Sequence, residues 1–247
     1  MALRIPQLDT DPASPFPPVE AALREPDGLL AMGGDLSCVR LLNAYRQGIF
    51  PWYSRGQPIL WWSPDPRMVF RSDGVKLSSR FRRELKSSAW QIRADSAFAE
   101  VISACARTPR PGQRGTWITD AMQAAYLELH RQGHAHSVEA FDGDRLVGGI
   151  YGVAVGRMFF GESMFSAESG GSKTVLAALA RRLHGWGWPL IDAQVESRHL
   201  LSLGAESWPR RRFTAAIGEL VTLPQTPGSW TAAFGQWHAN ELADGPV

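Results

Sequence analysis

The stretch from His134 to Phe165, HAHSVEAFDGDRLVGGIYGVAVGRMFFGESMF, decides the fold class. Polar and apolar residues alternate from His134 to Phe141, the period-2 pattern of a strand with one buried face. Asp142-Gly143 is a hairpin turn signal, and Leu146 to Val155 reads as the returning strand. Gly156-Arg157 marks a second turn, into a third strand from Met158 to Phe165. The period then changes. From Ser172 to Trp186 the residues Val175, Leu176, Leu179 and Leu183 form one apolar stripe of an amphipathic helix. Leu190 to Val195 is again a strand. Hairpin-linked strands, a crossover helix and a further strand describe an α/β (α+β) fold with a mixed sheet.

Working outward, Asp120 to Gln132 is helical by pattern, through Met122, Ala125, Tyr126 and Leu129. Shorter helical segments follow around His199–Leu203 and Arg212–Val221, before a tail containing glycine, proline and tryptophan. Towards the N-terminus, residues 1–66 are rich in proline, glycine and tryptophan around one short helix, Ser37 to Gln47. The expected organisation is therefore a small irregular N-terminal domain, 1–66, followed by a mixed-sheet domain, 67–247.

The net charge is only +2, so a nucleic-acid partner has to be argued from a local patch. Residues 67–93 supply one. Eight bases (Arg67, Arg71, Lys76, Arg80, Arg82, Arg83, Lys86, Arg93) face two acids, Asp73 and Glu84. Either this is a solvated face or it binds phosphates; the concentration of the chain's surplus charge favours phosphate, with Arg80, Arg82 and Arg83 at its centre. Cys38 and Cys105 have no zinc-like spacing, the histidines show no metal-ligand pattern, and no metal is expected. Gly170-Gly171-Ser172-Lys173-Thr174 has serine before its lysine, which is wrong for a nucleotide phosphate loop. Gly161-Glu162-Ser163-Met164-Phe165 lacks the second glycine of a nucleophile elbow. No apolar run approaches the ~18 residues of a membrane span, so a cytoplasmic protein is expected.

Several unusual strings occur in a fixed order. They include Glu25-Pro26-Asp27-Gly28-Leu29-Leu30-Ala31-Met32-Gly33-Gly34-Asp35-Leu36, Ala44-Tyr45-Arg46-Gln47-Gly48-Ile49-Phe50-Pro51-Trp52-Tyr53 and Trp61-Trp62-Ser63-Pro64-Asp65-Pro66-Arg67. Further on come Gly115-Thr116-Trp117-Ile118-Thr119, Phe160-Gly161-Glu162-Ser163-Met164-Phe165-Ser166, Ile191-Asp192-Ala193-Gln194 and Ser202-Leu203-Gly204-Ala205. Each is weak alone, but the ordered set, from about residue 16 to residue 213, closely resembles the bacterial leucyl/phenylalanyl-tRNA–protein transferase family. Two departures stand out. Ala193 sits where the family commonly has cysteine, and the loop Ala167–Lys173 lacks an arginine common after Phe-Ser.

The resemblance implies an acetyltransferase-like (GNAT-type) C-terminal domain that takes aminoacyl-tRNA in place of acetyl-CoA and needs no cofactor. It implies transfer of leucine or phenylalanine, with methionine as a further candidate, to proteins beginning with arginine or lysine, marking them for N-end-rule degradation. The donor is then an activated ester and the nucleophile an α-amine of pKa about 7.7–8.0, so the enzyme must chiefly align the two and accept a proton. Asp192 and Gln194, two apart on a strand, would share a face while Ala193 points away; by the family's proposal the aspartate polarises the glutamine, whose amide oxygen accepts a hydrogen bond from the attacking amine and so orients it, the alternative being a strand-end cap and a surface glutamine. Glu162 suits the acceptor's cation. Ile150, Phe159, Met164 and Ile191 are candidate walls for the aminoacyl side chain, although apolar strand residues also serve simply as core. Trp52 and Trp117 are candidates to stack on the terminal adenine, or else are buried structural residues. Two rival functions remain: an acetyl-CoA-dependent N-acetyltransferase and a non-enzymatic RNA-binding adaptor. The first needs an Arg/Gln-x-x-Gly-x-Gly/Ala turn before the Ser172 helix, and Phe165 to Lys173 contains none. The second leaves the Glu162 and Asp192/Gln194 strings unexplained.

Overall fold

A computed structural model of the chain describes residues 5–109, 116–225 and 228–244. The N-terminal part forms a four-stranded sheet from β1 (Gln7–Leu8), β2 (Leu29–Gly33), β3 (Phe50–Pro51) and β4 (Leu60–Trp62), in the order β1-β2-β4-β3. Helix α1 (Cys38–Arg46) lies between β2 and β3; the Ser37 hydroxyl caps it by accepting from the Arg40 N–H. From Arg67 onward the chain builds an eight-stranded sheet in the order β11-β5-β10-β9-β8-β7-β6-β12. Its strands are β5 (Arg67–Arg71), β6 (Gln91–Ala94), β7 (Ala135–Asp142), β8 (Arg145–Val155), β9 (Met158–Ser166), β10 (Leu190–Gln194), β11 (Glu206–Trp208) and β12 (Trp237–His238). All neighbours are antiparallel except β9 and β10, which run parallel and are joined over helix α5 (Gly171–Gly185). The hairpins, crossover helix and mixed sheet expected from residues 134–195 are thus present, with ends displaced by a residue or so.

Helices cover both faces of the large sheet. On one side α3 (Phe98–Arg107), α4 (Asp120–Arg131) and α7 (Arg210–Leu220) join α1 and the small sheet in one apolar cluster, running from Leu30 and Trp61 through Tyr126 to Phe160 and Phe213. On the other side α2 (Ser79–Lys86), α5 and the C-terminal segment form a second cluster. That segment is more than a tail. Helix α8 (Trp230–Phe234) buries Trp230 completely, β12 pairs with β6, and a 3-10 turn at Ala239–Leu242 packs on α2 and α5. A short helix α6 (Arg198–Ser202) follows β10.

The α5 crossover lies directly on the sheet at Gly148. A Cβ on Gly148 would stand 2.5 Å from the Gly171 backbone carbonyl carbon, a contact that no side-chain rotation relieves. Gly148→Ala is therefore expected to destabilise the protein by about 1–3 kcal/mol through overpacking, read as a lower midpoint in urea. An unchanged midpoint would show that α5 can lift from the sheet without cost.

Candidate active site

Strands β9 and β10 stay paired from Leu190↔Met158 to Asp192↔Phe160 and then part. Each carries a bulge where they separate. On β9 the register with β8 jumps from Gly152↔Gly161 to Tyr151↔Ser163, so Glu162 is the extra residue. On β10 the register with β5 jumps from Asp192↔Val69 to Gln194↔Met68, so Ala193 is extra. Bulges bend strands and re-aim side chains. Between these two opens a cleft of about 670 Å³, lined by Phe70, Ile150, Met164, Leu176 and Ile191, with Trp52, Trp117, residues 195–197, His199 and Leu200 around it. Gln194 has φ 56°, a left-handed conformation that a non-glycine residue adopts only at a cost and that clusters at functional sites.

Asp192 is wholly buried and is held in a bidentate ion pair. Arg67 Nε and Nη2 donate to its two carboxylate oxygens, each at 2.7 Å, and Arg67 Nη1 donates to the Gly48 carbonyl at 3.0 Å. The Arg67 guanidinium lies between the Phe50 and Phe213 rings, 4.8 and 4.6 Å from their centroids. Arg67 therefore does not belong to the phosphate patch in which its sequence position had placed it. It is internal and neutralises Asp192.

The relation of Asp192 to Gln194 also differs from simple strand alternation. The bulge breaks that alternation, and Ala193 lines the cleft beside both of them. The contact between the pair is the Gln194 backbone N–H donating to Asp192 Oδ1 at 3.1 Å. Gln194 Nε2 is buried with no partner among the described residues. Asp192 thus sets the backbone that carries Gln194, while the glutamine amide keeps hydrogen-bonding capacity for something else.

Glu162 faces the cleft beneath two tyrosines that come from different helices. Tyr45 of α1 donates to its Oε1 at 2.7 Å and Tyr126 of α4 to its Oε2 at 2.9 Å, while the two hydroxyls also touch one another. Burial pushes the Glu162 carboxyl up to about 7, against the lowering effect of the tyrosine hydrogen bonds. Reading the sequence by period misses Tyr45, Tyr126 and Arg67. The two tyrosines fall on the apolar stripes of α1 and α4, and the signal that could have found them is that a buried phenol needs a partner.

Of the other predicted positions, Ile150, Met164 and Ile191 lie on the cleft wall and Trp52 and Trp117 on its edge, both half-buried. Gly115, beside Trp117, lies outside the described residues. Phe159 is not on the wall. It sits in the second core, its ring 5.6 Å from Trp230, because β9 alternates and Phe159 faces α5 and α8. The basic stretch is partly neutralised by local pairing: Arg71 with Asp73, Arg80 with Glu84 and Lys86 with Asp244. Arg80 and Arg83 are exposed on α2, whereas Arg82 is half-buried and donates to the Ala243 carbonyl at 3.2 Å. Helix α2 is linked to the cleft through Lys173. The Lys173 ammonium lies 5.6 Å from the Phe81 ring of α2, and its charge adds to desolvation in lowering the pKa of His199 on the cleft edge.

No group of three or more potential metal-ligating side chains occurs among the described residues, and no described helix is long and apolar enough to cross a membrane. Compared with known proteins, residues 69–218 match the family model described as leucyl/phenylalanyl-tRNA protein transferase, and residues 34–65 match that of its N-terminal domain. A leucyl/phenylalanyl-tRNA–protein transferase of Xanthomonas campestris pv. campestris is 69% identical over 236 residues, spanning 96% of this chain and 95% of the relative. One of Xylella fastidiosa is 63% identical over 235 residues, spanning 95% of this chain and 97% of the relative.

Proposed function

Since the chain belongs to the leucyl/phenylalanyl-tRNA–protein transferase family, an enzyme family that passes an aminoacyl group from tRNA to protein, we propose that the cleft between the bulges of β9 and β10 is where the two substrates meet. The observation that carries this reading is that Glu162 and Gln194 line one largely apolar cleft, with Gln194 held in a strained conformation beside the buried Arg67–Asp192 pair. The aminoacyl side chain lies against Ile150, Met164 and Ile191, and the terminal adenine stacks on Trp52 and Trp117. The acceptor's α-nitrogen attacks the ester carbonyl carbon. The C–N bond forms, the bond to the ribose oxygen breaks, and the proton lost by nitrogen ends on the ribose hydroxyl. Gln194 hydrogen-bonds the amine and fixes its approach; an amide is a poor base, so its work is orientation. The proposed acceptors are proteins beginning with arginine or lysine, and the setting is cytoplasmic N-end-rule degradation. Residues 1–66 and 67–247 serve as two domains with a shared core.

Glu162 reads the acceptor's cation in this scheme. A charge-assisted hydrogen bond contributes about 1.5–3 kcal/mol net, or roughly 10- to 150-fold. Glu162→Gln should therefore lose that factor in kcat/KM for Arg- and Lys-initiated peptides relative to one beginning with citrulline, while charged-tRNA binding is retained. A preference that survives the substitution assigns the cation to another acid.

Helix α2 is the proposed phosphate contact. Neutralising Arg80, Arg82 and Arg83 should weaken tRNA binding and flatten its dependence on salt by about 0.7–0.9 per lost phosphate contact in the log–log slope. Arg82, tied to Ala243, should contribute least. Trp52→Ala or Trp117→Ala should instead cost about 1–3 kcal/mol with the slope unchanged. An unaltered slope in the arginine variant would remove α2 from the tRNA path.

A further inference from the structure

Tyr45, Tyr126 and Glu162 form a closed ring of three oxygen–oxygen contacts. The Tyr45 hydroxyl is 2.7 Å from Glu162 Oε1, the Tyr126 hydroxyl is 2.9 Å from Oε2, and the two hydroxyls are in hydrogen-bond contact with each other. Each contact needs one proton between its oxygens, and each phenol owns one. Two protons cannot fill three contacts. If Glu162 were ionised, both phenols would donate to it, and their own oxygens would face each other with nothing between. From this count we infer that the empty enzyme holds Glu162 as a neutral carboxylic acid, and that an acceptor's cationic side chain pairs with it only in exchange for that proton. The inference rests on Glu162 as the reader of the acceptor and adds that the reading is proton-linked.

The surroundings are consistent with this. α1 and α4 present Tyr45 and Tyr126, and burial above all holds both phenols well above their usual pKa, so neither gives up its proton. β8 presents Tyr151 to Tyr126. β5 and β10 present Arg67 and Asp192, whose opposite charges act on Glu162 in opposite directions. Burial outweighs the lowering effect of the two tyrosine hydrogen bonds and carries the carboxyl up to about 7. In the exchange one O–H bond of Glu162 breaks, the proton passes to solvent, and the carboxylate pairs with the guanidinium or ammonium.

Raising pH favours the carboxylate, so cation pairing strengthens through about 7 and saturates above it. With that midpoint the ionised fraction rises from about one-tenth at pH 6 to about nine-tenths at pH 8. The preference for an Arg- over a citrulline-initiated peptide should therefore grow about tenfold over that interval. The α-amine titrates alike in both peptides and cancels in the ratio.

The test is titration calorimetry of the full chain with Arg- and citrulline-initiated peptides, in buffers of different ionisation enthalpy. At pH 6 the Arg peptide should release about 0.9 proton more than the citrulline peptide, and at pH 8 about 0.1. Glu162→Gln supplies both an amide donor and an acceptor to the tyrosines and so can keep the ring closed. It should show no excess release at either pH and a preference that is small and flat with pH. A wild-type preference constant from pH 6 to 8 without excess proton release, lost in Glu162→Gln, would overturn the proton count and leave the cation reading intact. A preference that survives Glu162→Gln would remove the cation reading, and the exchange with it.

Discussion

Arg67→Met should destabilise the protein by about 3–5 kcal/mol, because it leaves Asp192 charged, buried and alone. Both side chains are fully buried, and each carboxylate oxygen of Asp192 accepts from Arg67 at 2.7 Å. At roughly 2–4 °C per kcal/mol for a chain of this size, the melting temperature should fall by about 6–20 °C. The surface pairs offer the contrast: Arg55–Asp120 is exposed by 80% and 84% at its two side chains, and breaking it should change stability by about 1 kcal/mol at most. Removing both buried charges, in Arg67→Met with Asp192→Asn, should recover much of the loss, because the cost lies in the orphaned charge. It should not recover transfer, because Gln194 then loses the carboxylate that holds its backbone N–H. Urea denaturation measures the first part. A loss under about 1 kcal/mol for Arg67→Met would mean that the pair does not organise the site.

Gln194→Ala and Asp192→Asn should each lower kcat by about 10²- to 10³-fold, the scale on which one misplaced or missing polar group disturbs a reacting centre. Asp192 acts on Gln194 through the backbone, by way of the 3.1 Å hydrogen bond across the bulge. The two substitutions damage one device, so the double variant should be little worse than the worse single. Affinity for charged tRNA should stay near wild type, since neither substitution removes α2 or the two tryptophans on the cleft edge. Losses that multiply would show two independent roles and would separate Asp192 from Gln194.

The order of strands and helices from 134 to 195 was legible because strand periodicity is broken at clear turns, at Asp142-Gly143 and Gly156-Arg157, and then gives way to helical periodicity. What could not be read was set by tertiary structure. Residues 67–94 drew attention as charge, yet they form β5, α2 and β6, and the first of their bases, Arg67, lies at the centre of the molecule. A guanidinium becomes internal only when a carboxylate 125 positions away meets it, and no local pattern reports that pairing. Glu162, Asp192 and Gln194 were visible as members of unusual strings, whereas the two bulges that aim them depend on register with β8 and β5. Phe159 was misjudged for a related reason: on a strand covered on both faces, apolar character does not tell the cleft wall from the core.

The central claim is that Glu162 and Gln194, which line one cleft, there serve the transfer of an aminoacyl group from an ester to an acceptor amine. Its most direct test is a single-turnover measurement of labelled leucine passing from charged tRNA to an Arg-initiated peptide, in wild type, Glu162→Gln and Gln194→Ala. Wild type should transfer rapidly. Gln194→Ala should transfer about 10²- to 10³-fold more slowly even with saturating peptide, and Glu162→Gln should be rescued in large part by raising the peptide concentration. Transfer by Gln194→Ala at the wild-type rate, with charged tRNA bound equally well, would contradict it.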